Sequence, residues 1–473
     1  MASFYIQNFG CRATQADGAA MERQFSERGL ERAARPEEAG IVVLNTCTVT
    51  AAADRDARAA IRRIHRENPG CQILVTGCYA QRAPQEIAEL PGVNWVVGNS
   101  HKQAVADVAT CAAAKTGSPR PLFSAGLEAW RDTNLSQDAS FVPLARLTTE
   151  NRELATENRI WVSDIFAHTQ LLAAPVFDAA NERTRPNLKV QDGCDNRCSF
   201  CIIPYVRGQS RSLELKEVIR EVTQLVAAGY REIVISGINL GRWGRDFSRP
   251  MQFEDLVSAI VDRTPLEKLR ISSVEPMDWS DRLIRLLAES PRIAKHAHVP
   301  MQSGSDRILR AMHRKYRPWH YREKIEKIRA SVPAAAIGAD VMVGFPGETD
   351  SDFEQTRRMV GDLPFTYLHV FTYSARPGTP AAARSEQVPV PIARERNRVL
   401  RELAQQKKLE FMRSFIGKPL GAITLNVSDG EYTEALTDNY LKLRLAGKHA
   451  ANQWVEAHVL EVSRGSLVGC AAR

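Results

Sequence analysis

The chain has 473 residues, of which 44% are hydrophobic and 25% charged, and its formal net charge at pH 7 is +8. This length predicts two or three domains, each with its own hydrophobic core. No apolar run approaches the roughly 18 residues of a membrane span, and no secretory signal pattern is present, which argues against a membrane or secreted protein. The expected location is therefore the cytoplasm. Because cytosolic thiols stay reduced, the nine cysteines indicate thiol chemistry or metal ligation and not a disulfide framework.

Residues 1 to about 115 alternate short apolar segments with helical patterns, which predicts an N-terminal α/β domain on a doubly wound parallel sheet. In such a sheet the carboxyl ends of the strands meet at one edge, where binding sites gather. Cys11, Cys47 and Cys78 each follow the carboxyl end of a predicted strand, so we expect these three residues to meet at that edge. The predicted strands cover residues 3–7, 41–45, 72–76 and 94–97.

A second series of strands and helices starts near residue 186 and, with a charged helix that begins at Pro389 and Pro391, extends to about residue 412. Six strand–helix units predict an incomplete (β/α)6 barrel of the TIM type, whose functional face lies at the carboxyl ends of its strands. Residues 116–185 are typical of a linker with an insertion, and no role is predicted for them. The predicted barrel strands cover residues 188–191, 232–236, 269–274, 296–300, 338–344 and 367–371.

Local signals mark helix ends in this region. The helix after the first barrel strand is expected to stop at Gly229, which is well placed as its C′ residue. Residues 351–354, Ser-Asp-Phe-Glu, predict a capping box for the helix before the last barrel strand. Residues 413–473 contain several β-type segments close to charge neutrality, which predicts a small all-β domain.

The segment DGCDNRCSFC follows the first predicted barrel strand and spaces Cys194, Cys198 and Cys201 as C-x3-C-x2-C. Three thiolates on a short loop can hold three irons of a four-iron cluster and leave the fourth iron open to a small molecule. Zinc is the rival, but a closed structural zinc site needs four ligands and no fourth lies nearby in the sequence. The spacing also differs from that of ferredoxins. We therefore predict a cluster-binding loop.

This loop resembles the signature of the radical S-adenosylmethionine (SAM) enzymes. The resemblance implies a 4Fe-4S cluster whose open iron chelates SAM, and reductive cleavage of SAM to methionine and a 5′-deoxyadenosyl radical. Such a radical abstracts hydrogen from unactivated carbon, which no side chain does unaided. The resemblance extends to the methylthiotransferase branch through the segments SSVEP, HVPMQSGSDRILRAMHRKY, GADVMVGFPGETDSDFEQT and HVFTYSARPGTPAA.

The N-terminal segments FGCR, VVLNTCTVT, VTGCYAQRAPQEIAEL and WVVGN are similar to the cluster-bearing first domain of that branch. This similarity implies that Cys11, Cys47 and Cys78 hold a second 4Fe-4S cluster, where the sulfur for insertion is kept. The C-terminal residues are similar to a TRAM domain, which implies RNA binding. The implied domains are 1–115 with the second cluster, 116–185 as linker, 186–412 as the radical SAM domain and 413–473 as the TRAM-like domain.

Residues at the predicted carboxyl ends of the barrel strands are candidates for binding SAM, because the ribose and methionine groups are expected there. Phe200, between two loop cysteines, is expected either to contact the adenine or only to pack, and Glu275 either to bind SAM or to form a salt bridge. The candidates are Phe200, Ser236, Gly237, Glu275, Gln302 and Ser303.

Basic residues are candidates for binding the substrate. Arg207 and Arg211 follow the cluster loop and are expected to bind phosphates or an anionic substituent, or else to form structural ion pairs. Residues 306–329 mix basic residues with aromatic ones, a mixture that suits phosphates and unpaired bases or, alternatively, a solvated helix surface. The candidates in this segment are Arg314, Lys315 and Tyr316.

Members of the family act on isopentenyladenosine in tRNA, on threonylcarbamoyladenosine in tRNA, or on an aspartate of a ribosomal protein. NTCTVT, VTGCYAQRAP and WVVGN are most similar to the threonylcarbamoyladenosine type, although FGCRATQAD departs from its usual GCKVNQYE. The implied partners are the tRNA anticodon loop and a flavodoxin- or ferredoxin-like electron donor, and the sulfur donor is unassigned. The alternatives are the other two substrates and a non-catalytic, metal-containing RNA-binding protein.

Overall fold

A computed structural model of the chain describes residues 2–113, 159–167 and 185–472. Most of the predicted 116–185 insertion lies outside these ranges. The described residues form two compact units: the first contains Met1–Phe9, Met21–Thr46 and Arg55–Asp164, and the second contains Gly10–Ala20, Cys47–Asp54 and Ile165–Arg473. The domain boundaries predicted at residues 115, 185 and 412 stay predictions.

The first unit is built on a parallel sheet of six strands in the order β2-β1-β3-β4-β5-β6. All four predicted strands are present, so the predicted parallel sheet is confirmed. The central residues of β3 and β4 are fully buried, as expected for parallel strands whose two faces are covered by other elements. The strands are β1 (Ser3–Asn8), β2 (Glu31–Arg32), β3 (Ile41–Thr46), β4 (Gln72–Gly77), β5 (Val93–Gly98) and β6 (Ile160–Trp161).

Five helices belong to this N-terminal region. The amphipathic helix α2 packs Ala57, Ile61 and Ile64 against the apolar side chains of β3 and β4, which forms the core of the first unit. The helices are α1 (Arg12–Glu27), α2 (Ala51–Glu67), α3 (Cys78–Arg82), α4 (Pro84–Ala88) and α5 (Val105–Ala113).

The second unit contains six parallel strands that form the predicted incomplete barrel. They lie in chain order and form two hydrogen-bonded groups of three strands. Two isolated parallel bridges connect the groups, one between Leu269 and Ile293 and one between Ser273 and His298. The two outermost strands are not paired with each other, so the barrel is open on one side. The strands are β7 (Asn187–Lys189), β10 (Glu232–Ser236), β11 (Lys268–Ile271), β12 (His296–His298), β13 (Ala336–Val343) and β14 (Tyr367–Thr372).

Short strands β8 (Gln191–Asp192) and β9 (Arg211–Ser212) pair with each other on either side of the cysteine loop. Helices cover the outside of the barrel, and their leucine, isoleucine and valine side chains form one core with the strands. The helices are α6 (Ile203–Arg207), α7 (Leu215–Ala227), α8 (Phe253–Arg263), α9 (Asp281–Glu289), α10 (Asp306–Ala311), α11 (Pro318–Ser331), α12 (Asp350–Asp362) and α13 (Val390–Arg413).

The structure confirms one predicted helix end and corrects another. Helix α7 ends at Ala227 with Ala228 as its C-cap, and the next residue, Gly229, has a φ of 94°, the left-handed conformation expected at C′. The capping box predicted at residues 351–354 is wrong, because α12 begins two residues earlier. Thr349 is its N-cap: the Thr349 hydroxyl accepts from the Asp352 backbone N–H, and the Asp352 carboxylate accepts from the Thr349 backbone N–H.

The C-terminal residues form the predicted all-β domain as a closed five-stranded barrel. Buried Arg270 of β11 donates to Glu232 and to the carbonyl oxygens of Thr437 and Asp438, which fixes this barrel to the larger one within the second unit. Its strands are β15 (Pro419–Ser428), β16 (Tyr432–Thr437), β17 (Lys442–Ala446), β18 (Trp454–Ser463) and β19 (Ser466–Ala471). Across the described ranges, none of the helices combines the length and the apolar character of a transmembrane segment.

Candidate metal centres and cofactor site

Cys11, Cys47 and Cys78 follow three neighbouring strands of the first sheet. Cys11 comes three residues after β1, and Cys47 and Cys78 come directly after β3 and β4. Register pairs Asn8 with Asn45 and Thr46 with Gly77, so the three strands end side by side. The strand arrangement from which we expected the three cysteines to meet is therefore present.

Local packing around these cysteines is tight. Gly10 has a φ of 102°, and a Cβ at this position would lie 2.5 Å from Cys47 Cβ and 2.9 Å from its Sγ. Only glycine lets the chain pass this close to Cys47 on the way to Cys11. In the first unit, Asn99 Nδ2 donates to Cys78 Sγ at 3.5 Å. Cys47 and Cys78 are buried, whereas Cys11 is exposed.

The second cysteine set lies on the loop between β8 and α6, at the carboxyl end of the first barrel strand. Gly193 opens this loop with a φ of 71°, and a Cβ there would lie 1.8 Å from the Gln209 carbonyl oxygen. Cys194 N donates to the Gly208 oxygen at 3.0 Å, and Cys201 N donates to the Cys198 oxygen at 3.1 Å. The loop is thus a compact turn whose entry requires glycine.

Buried Gln191 supports the loop from beneath. Its amide nitrogen donates to the carbonyl oxygens of Asp192 and Gly193 and to Ser210 Oγ, at 2.8 to 2.9 Å. Its amide oxygen accepts from Asn239 N at 2.7 Å. One side chain therefore joins both ends of the cysteine loop to the segment that follows β10.

Two of the loop sulfurs accept hydrogen bonds from the protein. Asn239 Nδ2 lies 3.5 Å from Cys194 Sγ, and Arg314 Nη1 lies 3.2 Å from Cys198 Sγ. Burial raises the pKa of Cys194, and burial together with the neighbouring Cys198 raises the pKa of Cys201 to about 12. Without metal these two groups stay thiols at neutral pH, so metal binding must displace protons, as it does at thiolate sites in general.

The spacing of the loop sulfurs suits a cluster better than a single ion. In the described part of the chain, Cys194, Cys198 and Cys201 are not among the groups whose ligand atoms all lie within 4.8 Å of one another. Zinc–sulfur bonds of about 2.3 Å would draw the sulfurs of one tetrahedral site closer than this. Three separated sulfurs with no closing fourth ligand fit three corners of a 4Fe-4S cluster.

A buried ion network underlies the loop. Lys189 donates to Asp17 and to Asp192, and Arg207 donates to both carboxylates at 2.9 to 3.0 Å. All four side chains are at most 9% exposed. Burial opposes the charge of Asp192, but Arg207 and Lys189 hold its pKa well below its usual value. Buried Arg211 is a further cation beside the network and also lowers the pKa of Asp192.

This network concerns the two roles that the sequence left open for Arg207 and Arg211. Arg207 and Arg211 are buried, and Arg207 is bonded to two aspartates, so the structural alternative for Arg207 is the one observed. Burial also lowers the pKa of Arg211. Neither guanidinium is presented to solvent, where an incoming phosphate would meet it.

The basic segment also differs from its sequence interpretation. Tyr316 is buried, and its hydroxyl donates to the carbonyl oxygens of Pro300 and Met301, so its ring does not offer a face to an unpaired base. Arg314 is buried between Glu275 and Cys198. Lys315 remains exposed and lines a cavity of about 240 Å³ beside the cysteine loop.

The predicted SAM-binding residues have mixed environments. Ser236 is buried at the end of β10, and its Oγ has no hydrogen-bond partner among the described residues, which leaves a polar atom for a ligand. Gly237 is in close contact with Gln191, and Glu275 forms the alternative salt bridge, with Arg314. Phe200 packs, partly buried, against an apolar cluster.

Gln302 and Ser303 follow β12. Gln302 has a φ of 62°, and its N–H donates to the Asp340 oxygen at 2.8 Å. Ser303 is buried, with its hydroxyl 3.2 Å from the hydroxyl of Thr356. The structure thus brings both to the carboxyl edge of the barrel, where Ser303 already has a partner. That any of these residues binds SAM stays a prediction.

Sequence reasoning missed a contact beside Cys47. Arg376 Nη1 donates to Asp54 at 2.7 Å, and Thr48 Oγ1 donates to the other oxygen of the same carboxylate at 2.6 Å. All three side chains are buried. In the sequence, Arg376 is noticeable only as part of the family segment SARPG. That segment does not indicate that its partner is Asp54, 322 residues away.

The residues of both cysteine sets lie in regions that match known families. Residues 3–98 match the model described as "Uncharacterized protein family UPF0004", and residues 188–360 match "Radical SAM superfamily". In the solved structures, the chain is similar to the radical SAM methyltransferase TsrM from Kitasatospora setae. The TM-score is 0.53 at 16% identity, covering 91% of this chain and 79% of that one, which is a likeness of fold.

Curated relatives extend over nearly the whole chain. A threonylcarbamoyladenosine tRNA methylthiotransferase of Aquifex aeolicus is 34% identical over 93% of this chain and 96% of its own, and one from Bacillus subtilis is 34% identical over 94% and 91%. A tRNA-2-methylthio-N(6)-dimethylallyladenosine synthase of Novosphingobium aromaticivorans is 32% identical over 88% and 85%. The chain therefore belongs to the methylthiotransferase family of the radical SAM superfamily.

Proposed function

We propose that the chain is a tRNA methylthiotransferase that inserts a methylthio group at C2 of N6-threonylcarbamoyladenosine beside the anticodon. The observation that supports this most strongly is the loop that starts at Gly193 and carries Cys194, Cys198 and Cys201 at the carboxyl edge of an open barrel. The named activity of the Aquifex aeolicus and Bacillus subtilis relatives supports the choice of nucleoside.

The loop residues fit a 4Fe-4S cluster with one open iron, and Cys194, Cys198 and Cys201 would hold it. Bound together, this cluster and SAM supply a 5′-deoxyadenosyl radical for hydrogen abstraction. The protein holds the loop through Gln191 and directs an Asn239 amide and an Arg314 guanidinium at two of the sulfurs. Hydrogen bonds to cluster sulfurs are one of the ways in which a protein sets a reduction potential.

Cys11, Cys47 and Cys78 are proposed to hold the second 4Fe-4S cluster, where the sulfur for transfer is kept. Three strands that end in register, and the close approach of Gly10 to Cys47, support this assignment. The proposed partners are a tRNA anticodon loop as substrate and a flavodoxin- or ferredoxin-like protein as electron donor. The C-terminal barrel, with its TRAM-like sequence, is proposed to bind the RNA.

A second candidate is the isopentenyladenosine tRNA activity, because relatives with the dimethylallyladenosine name are nearly as similar. Nucleoside mass spectrometry separates the two. The gene is expressed in a host that lacks its own enzyme, and a Cys198→Ala variant serves as the control. We expect 2-methylthio-threonylcarbamoyladenosine with the wild type and none with the variant.

Other outcomes would contradict the assignment. Appearance of the 2-methylthio isopentenyl nucleoside alone would select the second candidate. Unmodified tRNA together with a methylthiolated ribosomal-protein aspartate would select a protein substrate. Zinc instead of iron in the purified protein, without SAM cleavage, would indicate a non-catalytic RNA-binding protein.

A further inference from the structure

Three polar side chains face each other inside the barrel, near its open side. We call His298, Asp340 and His369, on β12, β13 and β14, the lumen cluster. Their ligand atoms all lie within 4.8 Å of one another, His298 Nε2 is 3.4 Å from Asp340 Oδ1, and the two imidazole rings are 5.6 Å apart. The strand register pairs Asp340 with His369, which places both side chains on the same face.

The lumen cluster has unused hydrogen-bonding capacity. His298 is nearly buried, yet its Nε2 makes no hydrogen bond with any described residue. Buried polar atoms without a protein partner are rare in native proteins, and many of them contact a bound ligand, ion or water. His369 is exposed on the edge strand, so the cluster is accessible from the open side.

The start of helix α1, at Arg12, is attached to the outermost strand β7 at the open side of the barrel. The Arg12 carbonyl oxygen accepts from Asn187 Nδ2 of β7 at 3.3 Å, and Asp17 on the same helix is bonded to Lys189 and Arg207. The start of α1 is therefore fixed on the first barrel strand. The Arg12 charge also reaches the last strand: after the partial desolvation of the ring and the neighbouring His298, it contributes to lowering the pKa of His369.

No described residue places a carboxylate within 4.0 Å of the Arg12 guanidinium. Other arginines of this unit, Arg185, Arg207 and Arg270, each form a salt bridge. The Arg12 side chain is half-buried beside the predicted cluster ligand Cys11. A partly desolvated cation without an internal counter-ion is well suited to an anionic ligand.

A cavity of about 680 Å³ shares His369 with the lumen cluster. It lies between β14, helix α13 and the C-terminal barrel, and Tyr367, Phe371, Arg401 and Tyr440 are among its other lining residues. The rings of His298 and Tyr367 stack with centroids 5.9 Å apart. This volume lies within the usual range of about 300 to 1,000 Å³ for sites that hold small molecules.

We propose that Arg12 and the lumen cluster bind the threonylcarbamoyl substituent of the substrate nucleoside, with Arg12 on its carboxylate and Asp340 on its N–H or hydroxyl donors. This inference rests on the proposed function and names the residues that select the nucleoside. An apolar isopentenyl group would leave the half-buried Arg12 without an anion and would offer nothing to the polar atoms of Asp340 and His298. Sites built from such polar groups discriminate strongly against analogues that lack the matching atoms.

Binding measurements on the cluster-loaded protein test this assignment. The ligands are one tRNA with threonylcarbamoyladenosine beside the anticodon and the same tRNA with plain adenosine. We expect the wild type to prefer the modified tRNA by about 10- to 100-fold, the value of one charge-assisted hydrogen bond. Arg12→Gln should abolish this preference, whereas Arg12→Lys should retain most of it.

Arg23→Gln is the matched control, because Arg23 is an exposed arginine on the same helix. It should leave the preference unchanged. Iron content shows whether Arg12→Gln disturbs the neighbouring Cys11. If it does, His369→Phe, which is remote from Cys11 in the sequence, should still weaken the preference.

Three outcomes would overturn the inference: an intact preference in Arg12→Gln, no preference in the wild type, or a divalent ion that the wild type holds and an Asp340→Asn variant loses. Failure of the proposed function is distinguishable, since the wild type would then form no 2-methylthio-threonylcarbamoyladenosine whatever its binding preference.

Discussion

Removing one charge from the buried ion network gives a sharp test of how the cysteine loop is held. Asp17→Asn leaves Lys189 and Arg207 facing the single carboxylate of Asp192, with all of these groups at most 9% exposed. Breaking a buried ion pair by removing one partner costs about 3 to 5 kcal/mol, because an uncompensated charge stays buried. We expect the free energy of unfolding to fall by this amount.

Urea unfolding followed by tryptophan fluorescence measures the change. The matched control is Asp362→Asn, which breaks the 3.0 Å pair with Arg322 on the exposed face of the same unit, where the loss should stay below about 1 kcal/mol. Adding Lys189→Met to Asp17→Asn removes the cation that lost its partner, keeps the pair of Arg207 and Asp192, and should recover part of the loss. Equal losses for Asp17→Asn and Asp362→Asn would refute the role of the network.

Three further predictions concern the loop and its surroundings. Gly193→Ala should lower the iron content to about that of one cluster, whereas Gly229→Ala, also at positive φ but with open space around it, should keep full iron and cost about 1 kcal/mol. Arg314→Leu removes the hydrogen bond to Cys198 Sγ and should shift the cluster reduction potential, as redox titration by electron paramagnetic resonance would show; an unchanged potential would contradict this role. The lowered pKa of Asp192 contributes its full stability above the unfolded value of about 3.9. The free energy of unfolding should therefore start to fall below about pH 5 and keep falling until the pH has passed the folded pKa, more steeply in the wild type than in Asp192→Asn.

The sequence predicted the strands well because their signals are local. Each of the four N-terminal strands is a short run that contains β-branched or aromatic residues, and chain order alone predicts that parallel strands end at one edge. The same reasoning located Cys11, Cys47 and Cys78 at neighbouring strand ends. The C-x3-C-x2-C spacing identified the loop because all three ligands lie within eight residues.

Side-chain partners were not predictable, since they come from residues that are distant in the chain. Asp17 and Lys189 are 172 positions apart, and Cys198 and Arg314 are 116 apart. Composition marked Arg207 and Tyr316 as candidates for substrate, but only the fold shows that burial takes both away from solvent. The helix start at Thr349 was missed because Ser351 offers an equally good local pattern two residues later.

The proposed division of labour between two clusters is tested most directly by counting iron. Wild-type protein purified without oxygen should hold about eight irons per chain, four for each 4Fe-4S cluster. Cys47→Ala should hold about four, still cleave SAM when reduced, and form no methylthio product. A Cys47→Ala variant that kept all its iron or its product would contradict the account.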